Sequence, residues 1–213
     1  MKQLSVPYIH TVDSNDIAGI SGKLDHVHQE VINNSPWSAF PYKPEAAFAM
    51  AHGDSGVFLK FFVEEKHVRA VCSEPNQPVY KDSCVEFFVS FEDEPEYYNF
   101  EFNCAGTCLL SFGEERTNRE MTSPELIRSI AFQSSIKPAT SKNANIGWEL
   151  TVAIPFAAFQ YHEITSMKGK KCRANFYKCG DDLPEPHFLA WNTIKTEEPD
   201  FHRPEFFGTV EFN

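Results

Sequence analysis

Glu86 is the residue whose setting most needs an explanation. It stands inside Cys84–Phe91 (CVEFFVSF), an almost unbroken apolar run in which it is the one charge. A lone carboxylate in such a run is costly to bury without a partner. A second polar set follows in Tyr97–Asn103 (YYNFEFN), which alternates. Tyr98, Phe100, Phe102 and Cys104 fall on one face; Tyr97, Asn99, Glu101 and Asn103 fall on the other. Two chemistries use residues of these types. A sugar site sets aromatic faces against the CH faces of a pyranose and planar polar groups against its hydroxyls. Tyr80, the polar face of 97–103 and the C-terminal region offer such groups. A glycosidase needs only two carboxylates about 5–10 Å apart, and Glu86 with Glu101 is the available pair. With 30 acidic residues such a pair is easy to find, so it says little by itself. Each residue also has a plain structural reading: Glu101 and Asn103 on a solvent face, Tyr80 covering one end of the fold, Phe201 in a core.

Other chemistries have no foothold. There is no Gly-x-Ser-x-Gly, no phosphate-cradling loop and no dinucleotide loop. The six cysteines are Cys72, Cys84, Cys104, Cys108, Cys172 and Cys179, and Cys104-x3-Cys108 and Cys172-x6-Cys179 are not zinc spacings. They read as reduced, buried, structural residues. His26 and His28 lack companions for a metal set and read as surface residues.

The elements that would position these groups are short strands. Val79–Phe112 reads as two long strands joined by the acidic turn Glu92–Glu96. Leu4–Ile9 reads as an edge strand, 45–63 as a hairpin, and Val68–Cys72 as a further strand. Segments 130–136, 146–154, 172–179, 187–192 and 206–212 complete the set. Ser35–Pro44 is a loop pinned by Trp37 and Phe40. Ser123 and Pro124 have the chemistry of a short helix start. Trp148 shares a face with Ile146, Leu150, Val152 and Ile154 and reads as core. About ten short strands with frequent Pro/Gly turns predict an all-β, antiparallel, jelly-roll-like sandwich, with 1–213 as a single domain. Asn175 and Lys178 fall on opposite faces of their strand, so at most one can serve a site there.

The formal charge of −11, without a basic cluster, argues against nucleic-acid and anionic-membrane partners. No apolar stretch approaches the roughly 18–20 residues of a membrane span. The N-terminus lacks the apolar core of a signal peptide. The expected location is cytoplasmic, or periplasmic or secreted if a leader has been removed.

Tyr80-Lys81-Asp82-Ser83-Cys84-Val85-Glu86-Phe87-Phe88, then Tyr97–Asn103 with Gly106-Thr107, resembles the family 9 carbohydrate-binding modules. The likeness extends to 146–154 and to Trp191 through Phe201-His202-Arg203-Pro204-Glu205-Phe206-Phe207-Gly208. It implies a non-catalytic module that clamps the end of a sugar chain between two aromatic side chains above polar groups. Carried over by position, the first aromatic is Tyr80, where the family often has Trp, and the glutamate is Glu86. The second aromatic is Phe201, with Trp191 beside it. Glu101, Asn103 and Arg203 would supply hydrogen bonds. Tyr and Phe in place of Trp give a smaller platform, and Glu101 stands where sugar-binding members carry Arg. The sugar could therefore differ from xylan and cellulose ends. The resemblance also implies a possible structural calcium, for which Asp54, Asp181 and Asp182 are loop carboxylates without calcium-loop spacing. The expectation is saccharide binding, with a sugar-active enzyme using Glu86 and Glu101, or a protein-interaction module that has lost its sugar, as alternatives.

Overall fold

A computed structural model describes residues 1–10, 16–91, 94–141 and 144–213. Two residues of the expected acidic turn, Glu92 and Asp93, lie outside the described residues. The strands form two facing sheets. The larger contains β1 (Gln3–Val6), β5 (Cys84–Phe91), β6 (Tyr97–Asn103), β7 (Cys108–Gly113), β8 (Glu120–Met121), β11 (Lys171–Cys179), β12 (Phe188–Ala190) and β13 (Gly208–Phe212). Its order is β1-β13-β11-β5-β6-β7-β8, with β12 also paired to β11. The smaller contains β2 (Glu30–Val31), β3 (Glu45–His52), β4 (Gly56–Glu65), β9 (Ala131–Lys137) and β10 (Ile146–Pro155), in the order β2-β3-β4-β10-β9. The expected antiparallel sandwich is present, but β1 runs parallel to β13.

Alternation builds the core. Val85, Phe87, Val89 and Phe91 of β5, with Tyr98, Phe100 and Phe102 of β6, face inward and meet Phe48, Leu59, Phe61, Leu150 and Val152 of the smaller sheet. Phe48 stacks on Phe176 with ring centroids 3.7 Å apart. Each such side chain contributes about 1.5–3 kcal/mol by leaving water. Trp148 is buried here, as its strand face predicts. Its Nε1 donates to Glu65 Oε1 at 2.7 Å, and Lys178 Nζ lies 2.9 Å from Glu65 Oε2. Lys178 is thus part of a buried, paired network on the inner side.

Among the described residues, two α-helices flank the sheets. The first, α1 (Ile17–Leu24), is capped by Asp16, whose Oδ1 accepts from Gly19 N at 2.9 Å. It lays Ile20 and Leu24 on Ala49, Ala51 and Phe58 of the smaller sheet. The second, α2 (Pro124–Ile127), has the expected Ser123 cap. No helix among the described residues is long and apolar enough to cross a membrane.

Val68–Cys72 is not a strand, contrary to its sequence pattern. Its backbone is held by a side chain instead: Val71 N and Cys72 N both donate to Asp82 Oδ2 at 2.9 Å. At the β6–β7 turn, Gly106 has φ +91°, and a Cβ there would meet the Phe132 ring at 2.2 Å.

The outer face of the larger sheet is not a solvent face. Every residue of β5 and β6 is buried. A second cluster, including Trp37, Phe88, Tyr97, Tyr177, Phe201 and Phe207, covers this side. The outward polar residues of β5 and β6 lie beneath it.

Candidate functional site

The outward side chains of β5 and β6 form the floor of a cavity of about 350 Å³. Glu86 and Glu101 are directly opposite in the β5–β6 ladder, so both come from one wall, with Cβ atoms about 4.5–5.5 Å apart for such pairs. Asn99 and Ser111 extend that wall. Tyr80 enters from a 3-10 turn, Val79–Lys81, which anchors on buried Val79. Tyr80 is 37 % exposed, and its carbonyl accepts from Asp181 N at 3.1 Å. Phe201 lines the cavity from the C-terminal segment and is stacked on Tyr177 with centroids 4.1 Å apart.

Sequence reading missed several lining groups. Arg119, from the segment between β7 and β8, folds back over the site. Its Nε donates to Asn99 Oδ1 and Ser111 Oγ, at 3.1 and 2.9 Å, and its Nη2 donates to Tyr97 O at 2.7 Å. The guanidinium also lies 4.2 Å from the centre of the Tyr97 ring. Arg116, Asp181, Asp200 and His202 complete the rim. The available signals were the outward placement of Asn99 beside Glu101 and the motif Asp200-Phe201-His202; loop closure by Arg119 left no pattern.

Burial sets the electrostatics. It pushes the Glu101 carboxyl up to about 7, against the hydrogen bond from Asn99 and the charge of Arg119. Burial, then neighbouring Cys179 and Glu101, holds Glu86 well above the usual carboxylate range. Burial also pushes Asp181 up to about 6. His202 is pushed down to about 3 by burial and then the two arginines, so its ring is neutral and shares a 2.8 Å hydrogen bond with the Tyr97 hydroxyl. Asn99 Nδ2 donates to Glu101 Oε1 at 2.8 Å, while Glu101 Oε2 is buried without a hydrogen-bond partner among the described residues. That oxygen is a place for a ligand donor.

Of the seven residues selected from sequence, Tyr80, Glu86, Glu101 and Phe201 come together here, and three do not. Trp191 is fully buried in the sandwich core, edge-on to Phe48 and Phe176, with Nε1 donating to Glu30 Oε2 at 2.9 Å. It cannot present a ring face to a sugar. Asn103 is a structural clasp: Nδ2 donates to Cys72 O and Asp82 Oδ2, and Oδ1 accepts from Ala105 N and Thr107 N. Arg203 points away, pairing with Glu205 through Nε at 2.8 Å and approaching Asp200. Asn175, on the outer side, is spent on Asn192 and Phe176 backbone groups.

The loop carboxylates considered for calcium do not form a cluster of three among the described residues. Asp182 faces Lys81 and Arg69, at 3.7 and 3.9 Å, and Asp181 lines the cavity.

The sequence profile of Carbohydrate-binding family 9 matches residues 20–212. The chain belongs to this family. A solved structure of a candidate carbohydrate-binding protein from Bacteroides uniformis is 40 % identical, with a TM-score of 0.92 over 100 % of this chain and 99 % of that one. Family 9 modules from Caldicellulosiruptor kristjanssonii have the same fold. One, in complex with glucose, has a TM-score of 0.60 at 14 % identity, covering 100 % of this chain and 96 % of the other. The cellotriose complex has a TM-score of 0.59 at 13 % identity, covering 99 % and 93 %. No curated protein matches.

Proposed function

We propose that the protein is a non-catalytic sugar-binding module whose cavity takes the end of a saccharide. The observation that carries this is the convergence of Tyr80 and Phe201 with Glu86, Asn99 and Glu101 on one small cavity of about 350 Å³. That volume is at the low end of the roughly 300–1,000 Å³ of ligand pockets and suits a terminal ring rather than a long chain. The exposed Tyr80 ring at the rim, above a carboxyl and amide floor, offers the kinds of group a pyranose needs. Membership of family 9, and the glucose and cellotriose held by its Caldicellulosiruptor kristjanssonii members, support the reading.

Glu86 and Glu101 supply hydrogen bonds rather than hydrolysis in this reading. A glycosidase sets its two carboxyls on either side of the scissile bond. Here both rise from adjacent strands on the same wall. Calorimetric titration with mono- and disaccharides and their reduced alditols tests the proposal. Heats that saturate with a sugar and disappear on reduction of its end support it; silence at tens of millimolar ligand contradicts it.

A further inference from the structure

At the cavity floor, two cysteines far apart in sequence meet the Glu86 carboxyl. Cys84 and Cys179 are exact partners in the β5–β11 ladder, and Glu86 lies two residues along β5 on the same outer face. We propose that Cys84, Cys179 and Glu86 form a binding site for a thiophilic divalent cation such as Zn²⁺, with its fourth position open to the cavity. This site stands independently of whether the cavity takes a sugar.

Geometry carries the assignment. One atom from each residue lies within 4.8 Å of the others. Cys179 Sγ is 3.2 Å and Cys84 Sγ 3.9 Å from the same Glu86 Oε1. A tetrahedral ion with sulfur at about 2.3 Å and oxygen at about 2.0 Å would set sulfur and oxygen about 3.5 Å apart. The observed distances fall on either side of that value, so small side-chain rotations would seat the ion. All three ligands sit on paired strands of a packed sheet, which hold them more precisely than loops would.

The surroundings agree. All six cysteines are free thiols, so neither sulfur is committed to a disulfide. Among the described residues, the side-chain hydrogen bonds that reach Glu86 Oε1 come from these two thiols alone. Lys178, the nearest cation in sequence, faces the other side of the sheet and is bound to Glu65. Glu86 and Cys179 line the cavity, which gives an ion a route in and leaves room for water or a ligand hydroxyl as fourth ligand. Two sulfurs and one oxygen select a borderline-soft ion over calcium or magnesium, which take oxygen. On loading, two S–H bonds break and two metal–sulfur bonds form. The thiol protons pass to solvent, with the carboxyl proton where Glu86 carries one, and no electrons are transferred.

The test is a Co²⁺ titration of the full chain, freshly reduced and free of oxygen. The expected result is one equivalent bound, with thiolate-to-cobalt charge-transfer absorption and tetrahedral ligand-field bands, both bleached by Zn²⁺. Cys84→Ser and Cys179→Ser should each weaken affinity at least tenfold. Cys72→Ser, at the half-buried cysteine outside the trio, should leave it unchanged. X-ray absorption of the zinc-loaded wild type requires no substitution and should show two sulfurs per zinc. A wild type without the charge-transfer band, a zinc shell of nitrogen and oxygen alone, or a band that survives both serine variants overturns the proposal.

Discussion

Glu86 and Glu101 stand side by side on the outer face of β5 and β6, 2 % and 4 % exposed, with one oxygen of Glu101 lacking a hydrogen-bond partner among the described residues. Such a pair costs stability when ionised. Burial raises Glu101 to about 7 in the folded chain, against about 4.3 for an unperturbed glutamate. The folded state therefore holds its proton longer than the unfolded state. The penalty is absent below pH 4, grows as pH rises toward 7, and is complete above it. Glu101→Gln should raise folding stability by about 1–3 kcal/mol at pH 8 and by less at pH 5, while weakening sugar binding. Urea unfolding at the two pH values, beside calorimetry, checks both signs.

Tyr80 and Trp191 should separate binding from stability. Tyr80 is exposed at the cavity rim, so Tyr80→Ala should weaken sugar binding at least tenfold and move the melting temperature by no more than about 2 °C. Trp191 is wholly in the core, so Trp191→Ala should cost about 3–5 kcal/mol of stability. Thermal unfolding and sugar titration on the same preparations distinguish the two roles.

Asn103 uses both ends of its amide. It ties the Cys72 carbonyl and Asp82 to the turn that begins at Ala105. Asn103→Ala should cost about 1–3 kcal/mol by leaving buried groups unpaired. Amide exchange should increase over 69–73 and 104–107 first, because these backbone segments depend on Asn103 and on its partner Asp82.

Much of the fold could be read from the chain because strand alternation is a local signal. The 45–63 hairpin, the inward face of 146–154 and the Ser123 cap all follow from neighbours in sequence. The helix at 17–24 was missed because two glycines and a polar stretch dilute its pattern; it is held by Asp16 and by packing. Val68–Cys72 has a strand's composition, yet Asp82 takes up its backbone donors. At the site, Tyr80, Glu86, Glu101 and Phe201 were legible because each departs from its local pattern or matches the family's. Trp191 and Asn103 have the same chemistry, and only packing shows that it is already satisfied internally. Arg119 and the Cys84–Cys179 pair depend on contacts across the fold, with Cys179 93 residues from Glu86. No spacing rule detects them.

His187 provides a pH test away from the cavity. It is fully buried beside Lys178, and burial, then the lysine charge, push it down to about 3. The unfolded chain therefore binds the extra proton between about pH 6.5 and 3, so this residue's contribution to stability falls as pH drops through that window. The slope is about 1.4 kcal/mol per pH unit where the two states differ by one proton. Glu101 acts in the opposite direction, so the informative quantity is wild type minus His187→Gln. That difference should shrink by about 1 kcal/mol or more between pH 7 and pH 5 in urea unfolding.

Sugar binding itself is measured by isothermal calorimetry of the folded protein against glucose, xylose, cellobiose, xylobiose and their alditols, carried to tens of millimolar. Millimolar affinity corresponds to about −4 kcal/mol and lies within reach. The expected result is saturable, one-site binding of at least one sugar, abolished by reduction of the sugar end and by Tyr80→Ala. A flat titration across the whole panel, with the protein shown to be folded, would contradict it and leave the cavity to a protein partner.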